Sequence, residues 1–254
     1  MNLRLIHVPY TMGDERPGTS KGPERLVQGG AEKLVAAMGL TVTVERVDRG
    51  EPFRDSGNAS LIVSKRLARI VRQAIAAKQF PLVLAGGCDV SKGILSGFDH
   101  ARCGVVWFDA HGDFNTPETT TSGYFDGMSL AVITGHCYRN YWAQIGNSSP
   151  IPESATLLLG VRDLDPAESE HLDHSAIQVV KWHEGKPQGA ARRGACCRTL
   201  RPEVDQLEDD VCRRPWTRLD LAVPFKPRRD NSRIVGKPDL IHGAVVYLGC
   251  TAVV

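Results

Sequence analysis

Short continuous apolar runs alternate along this chain with longer stretches in which apolar residues return every three or four positions. The runs predict buried strands, and the longer stretches predict helices packed against them. Strands are expected over residues 3–8, 41–47 (where apolar and polar positions alternate), 80–85, 104–108, 157–159, 176–181 and 244–248. Helices are expected over residues 24–38 with Gly39 as the stop, from a cap at Asn58 or Ser60 to about residue 77, over 128–134 and over 168–174. Residues 11–23 read as a Gly/Pro-rich loop. Strands alternating with helices predict an α/β fold, with three αβα layers built on a mainly parallel sheet and a single domain over residues 1–254.

The pattern weakens after about residue 185. Residues 186–238 are rich in Arg and Pro, contain Cys196, Cys197 and Cys212, and show little apolar periodicity apart from Val204-Asp205-Gln206-Leu207. This stretch reads as a divergent, poorly ordered segment within the domain. A basic binding arm is the functional alternative, and a shifted reading frame is a third.

Composition adds mostly exclusions. A chain of 254 residues is long enough to bury a full core. The formal charge of +2 gives no electrostatic case for nucleic acid or an acidic membrane surface. No apolar run approaches the roughly 20 residues a membrane helix needs. The first eight residues are too short and polar for a signal peptide and read as a strand. The seven cysteines are odd in number and lack zinc-finger spacing, which points to thiols in a reducing cytoplasm. A vicinal disulfide at Cys196-Cys197 is the exception considered.

The candidate chemistry begins where the run Gly104-Val105-Val106-Trp107-Phe108 ends, at Asp109-Ala110-His111-Gly112-Asp113. Ligands of open α/β sheets sit beyond the carboxyl ends of the strands. In an extended segment Asp109, His111 and Asp113 share one face. Carboxylates with one imidazole suit a divalent ion such as Mn2+, with Zn, Fe, Co or Ni as alternatives. The hydroxyl-rich residues 114–123 then read as a surface loop with many polar groups and little to build a core.

The run from Asp109 to Gly123 closely resembles the metal-binding strand and substrate loop of the arginase/agmatinase/formiminoglutamase (ureohydrolase) family, D-A-H-x-D-x-N-T-P-x-T-T-T-S-G. Gly160-Val161-Arg162-Asp163-Leu164-Asp165-Pro166 is similar to a second family segment, and the resemblance spans roughly residues 18–185. It implies an arginase-like three-layer fold and Asp109, His111 and Asp113 as ligands of a dinuclear Mn2+ centre, with Asp109 bridging. It further implies that Asn115 and Ser122 receive a substrate α-carboxylate while Asp165 faces its α-amino group. Homo-oligomers are common in the family.

Departures from the family pattern bear on that centre. The family's G-G-D-H-S turn reads Gly86-Gly87-Cys88-Asp89-Val90-Ser91 here, so the His is absent. Asp89 aligns best with it, and Cys88 is the neighbouring alternative ligand; otherwise the turn only starts a helix capped by Ser91. A late D-x-D motif has its nearest match at Asp220-Leu221-Ala222, where Asp220 stands for the first carboxylate and Ala222 has no donor. Asp126 occupies the place of a family His that shuttles protons, although a carboxyl titrates far from neutral unless perturbed. His136, His171, His174 and His183 fit no motif and read as surface or loop residues.

The expected function is metal-dependent hydrolysis of a guanidino or amidino C–N bond in a small molecule. Asp113 and Asp126 are the catalytic carboxyls, and arginine or formiminoglutamate is favoured over agmatine. The alternatives are a mononuclear site using Asp89 or Cys88, and an inactive relative with an incomplete metal centre. Neither nucleic acid nor a membrane is expected as a partner.

Overall fold

In the computed structural model the described residues are 2–15, 18–50, 53–99, 104–146, 149–183, 186–188 and 245–248, with the backbone alone described from residue 181 onward. Strand β1 (Asn2–Val8) lies between β2 (Thr41–Arg46) and β3 (Gln79–Ala85), parallel to both. A second sheet contains β4 (Val105–Phe108), β5 (Thr156–Val161), β6 (Gln178–His183), β7 (Lys186–Gln188) and β8 (Val245–Leu248) in the order β7-β6-β5-β4-β8. Its pairings are parallel except β6 with β7. The helices are α1 (Gly22–Gln28), α2 (Ala31–Ala37), α3 (Ser56–Ala76), α4 (Ser91–Leu95), α5 (Ser129–Thr134), α6 (Arg139–Ile145) and α7 (Pro166–Asp173). This is the expected α/β architecture with mainly parallel strands.

Helix α3 forms because its buried residues Ala59, Val63, Leu67, Ile70, Val71 and Ala74 recur at helical spacing. Val63, Leu67, Ile70 and Val71 share a core with Ile6 and Val8 of the first sheet. Its cap is Asp55, whose Oδ1 accepts the Asn58 N–H at 2.7 Å, rather than Asn58 or Ser60. Such a cap stabilises by about 1 kcal/mol. Ser60 lies wholly buried within the helix, which leaves its hydroxyl for the functional site.

The single helix expected over 24–38 is two helices, broken at Gly29-Gly30, where Gly30 takes φ +94°. That left-handed conformation suits glycine and cannot propagate a right-handed helix. The first of the pair begins at Gly22, so Pro23 belongs to its first turn, where a missing N–H costs nothing. Helix α6 has no polar cap and follows Tyr138 at φ +47°, which is why its sequence does not announce it.

Strand β4 is covered on both sides. Trp107 joins a large core with Phe114, Leu130, Ile133, Trp142 and Leu158, and Phe108 packs with Leu157, Leu159 and Val180. Phe114 is wholly buried, so the loop expected to offer little to a core anchors itself there by its first residue. Neighbouring β5 carries a register shift beside Gly160, at φ +86°. Its Leu159 carbonyl accepts the Asp109 N–H at 3.1 Å, so the end of β4 is fixed where the acidic residues begin.

No helix among the described residues is long and apolar enough to cross a membrane. The segment 186–238, with Cys196, Cys197, Cys212 and Asp220, lies outside the described residues apart from 186–188.

Candidate metal centre

Beyond Phe108 the chain turns instead of staying extended. Asp113 sits at φ +50°, a conformation that is uncommon for a residue with a side chain and that costs on the order of 1–3 kcal/mol. Two hydrogen bonds hold it there. The Asp113 carbonyl accepts the N–H groups of Leu130 at 2.8 Å and Ala131 at 3.2 Å, from the start of α5. A third comes from α7: buried Glu168 accepts the Phe114 N–H on Oε1 at 2.8 Å. Gly112 leaves room for it, since a Cβ there would meet Glu168 Oε1 at 2.7 Å and displace it.

This turn brings Asp109 and Asp113 together with Cys88 from the turn after β3. One ligand atom from each of the three lies within 4.8 Å of the others. Asp109 Oδ1 accepts the His111 backbone N–H at 3.0 Å and lies 3.3 Å from that ring's Nδ1. Its Oδ2 lies 3.7 Å from the Cys88 thiol, which donates to it. Asp113 Oδ2 is buried without a hydrogen-bond partner. Burial, and then the negative charge of Asp109, push the Asp113 carboxyl well above the usual carboxylate range. A buried acceptor with no donor, facing a second carboxylate and a thiol, is what a cation would satisfy.

The His111 side chain is 54% exposed, and its Nε2 is 3.8 Å from Asp163 Oδ2. It orients Asp109 and stands outside the three-donor group. Asp89 also stands outside it. Its Oδ2 accepts the Ser60 hydroxyl at 2.7 Å, Ser60 in turn accepts the Tyr141 hydroxyl at 2.9 Å, and its N–H donates to Asp126 Oδ1 at 2.8 Å. Asp89 Oδ1 is buried without a hydrogen-bond partner. Burial, reinforced by the charge of Asp89, pushes the Asp126 carboxyl up to about 7.

Wholly buried Lys92 accompanies these two carboxylates, 3.9 Å from the centre of the Phe125 ring and donating to Ser129 Oγ at 3.1 Å. Burial lowers its pKa, and Asp89 and Asp126 oppose that shift.

Asn115 and Asp165 meet on the other side of the turn. The Asn115 amide donates to Asp165 Oδ2 at 3.0 Å, and Thr119 donates to Asn115 Oδ1 at 2.9 Å. Ser122 is exposed and its Oγ accepts the Tyr124 N–H at 3.2 Å. His136 pairs with Glu153 at 2.5 Å and packs edge-on against the Phe114 ring, and His174 pairs with the Glu170 carbonyl at 2.7 Å. Asp220, and the side chain of His183, are outside the described residues.

Sequence reasoning did not single out Lys92 or Glu168. For Lys92 a signal existed: one charged residue within the otherwise small and apolar run Val90-Ser91-Lys92-Gly93-Ile94-Leu95. For Glu168, one acidic residue among several on a short polar helix, none did.

A family model described as "Arginase family" matches residues 1–206. The arginase of Bacillus subtilis is 31% identical over 192 residues, covering 72% of this chain and 64% of that protein. The chain therefore spans under two thirds of that relative. The arginase of Bacillus caldovelox is 31% identical over 203 residues, covering 75% of this chain and 68% of its own length. The solved native structure of the Bacillus caldovelox arginase superposes with a TM-score of 0.67 at 29% identity, over 82% of this chain and 72% of that one.

Proposed function

The chain belongs to the arginase family, and from that premise we propose that it is a metal-dependent hydrolase of a linear guanidino or amidino C–N bond in a small molecule with a free α-carboxylate. The observation that carries this reading is the meeting of Cys88, Asp109 and Asp113 beyond β4, with Asp113 Oδ2 buried and unpartnered. These three residues would hold the ion. A divalent ion there supplies the Lewis acidity that makes water nucleophilic near neutral pH.

The remaining work falls to side chains. Asp113 and Asp109 bring the negative charge that a cation requires. Asp126, with its carboxyl near 7, is suited both to taking a proton from water and to returning one to the departing nitrogen. Asn115, Ser122 and Asp165 orient the substrate: the amide and hydroxyl donate to an α-carboxylate, and the Asp165 carboxylate receives an α-ammonium. Holding the far end of the substrate lowers the entropic part of the barrier. Glu168 acts through the backbone by keeping residues 112–114 in place.

The test is product release from arginine, agmatine and formiminoglutamate by the full chain loaded with metal. Turnover of arginine or formiminoglutamate, with agmatine poor for want of the α-carboxylate, is the expected result. Metal bound with no turnover of any of the three would overturn the reading in favour of a non-catalytic family member.

A further inference from the structure

We propose that Cys88 binds the ion as a thiolate, and that the centre therefore takes a thiophilic first-row ion (Zn2+, Co2+ or Fe2+) in preference to Mn2+. The assignment rests on the metal centre described above and adds the chemical class of its ion. Three observations support it.

The first is donor identity. Among the described residues, the group of metal-binding side chains consists of one sulfur and two carboxylates, without an imidazole. Sulfur is the soft member, and soft donors favour Zn2+, Co2+ and Fe2+, whereas Mn2+ favours oxygen.

The second is direction. His111 engages Asp109 Oδ1 twice, by its backbone and by its ring, which leaves Oδ2 turned toward Cys88. The 3.7 Å between Cys88 Sγ and Asp109 Oδ2 is long for a bond that matters in itself. It is close to the separation of two ligands on one tetrahedral ion: metal–sulfur at ~2.3 Å and metal–oxygen at ~2.1 Å place S and O about 3.6 Å apart.

The third is Asp113 Oδ2, a third donor atom that is buried without a hydrogen-bond partner. Asp89, the other acidic residue of the turn, has Oδ2 committed to Ser60 and its backbone N–H committed to Asp126, and its Oδ1, although likewise buried without a hydrogen-bond partner, does not join the three-donor group. Binding releases the Cys88 thiol proton to solvent, so the protein contributes thiolate and carboxylate charge against the 2+ ion.

The experiment is titration of the metal-stripped full chain with Co2+, read by its absorption spectrum, followed by competition between Zn2+ and Mn2+. The native chain is expected to develop a sulfur-to-cobalt charge-transfer band. Cys88→Ser is expected to lose the band and to lower the preference for Zn2+ over Mn2+ at least about tenfold. Cys88→Asp, which restores a charged donor, is expected to bind Mn2+ without the band, and it guards against a Ser variant that fails to fold. Co2+ bound without the band, or a band retained in Cys88→Ser, overturns the assignment while leaving the metal centre standing. No Co2+ bound to the native chain overturns both.

Discussion

Replacing Asp126 by Asn separates the cost of the acidic centre from its use. In the metal-free protein the Asp126 carboxyl is raised from 3.8 to about 7, chiefly by burial and then by Asp89. A carboxyl raised in the folded state weakens folding once it ionises. The penalty is absent below the unfolded value of about 3.8, grows as pH rises, and is complete above about 7. A shift of that size corresponds to about 4 kcal/mol at most. Asn keeps an Oδ1 acceptor for the Asp89 N–H, so the hydrogen bond at 2.8 Å survives. Against the gain, Lys92 loses one of the three carboxylates that offset its burial. A net stabilisation of about 2 kcal/mol at about pH 8 is expected, fading toward zero by about pH 4. Urea unfolding of the EDTA-treated full chain at the two pH values measures it. Equal or lower stability of Asp126→Asn at the higher pH, or a gain independent of pH, would refute the reasoning. The same variant is expected to lose turnover, since the amide neither accepts nor returns a proton.

Three further outcomes follow from the geometry. Gly112→Ala forces a Cβ against Glu168 Oε1 and is expected to cost about 1–3 kcal/mol in thermal or urea unfolding and to weaken metal binding together with stability. Asn115→Ala removes the donor to Asp165 and one receiver of the substrate carboxylate, so KM for an amino-acid substrate is expected to rise about tenfold or more with kcat less affected, in steady-state kinetics. Lys92→Met keeps the apolar contact with Phe125 and removes the buried cation from beside Asp89 and Asp126; metal-free protein is expected to be less stable than native at about pH 8 and to recover toward about pH 5 as Asp126 takes up a proton, by the same urea assay.

The parts of the fold that were legible in the sequence are those fixed by local pattern. The run 104–108 reads as a strand buried on both faces because Trp107 and Phe108 both need cover, and it is one. The stretch 24–38 misleads because its apolar spacing runs on through Gly29-Gly30, while the break depends on a backbone conformation only glycine adopts easily.

For the site, the acidic run 109–113 and the loop after it are visible as motifs. The convergence of Cys88 with Asp109 and Asp113 is not, because it depends on β3 and β4 delivering residues 21 apart in sequence to one place. The carboxyl of Asp126 near 7 is likewise a property of burial and of Asp89, neither of which its own neighbours in sequence reveal.

The central claim is that Cys88, Asp109 and Asp113 hold a metal ion that the chemistry needs. Elemental analysis of the full chain after loading with divalent metal and removal of the unbound excess tests it most directly. The account predicts at least one ion per native chain and its loss in Asp109→Ala and Asp113→Asn. A native chain without metal, or metal retained unchanged in both variants, would contradict it.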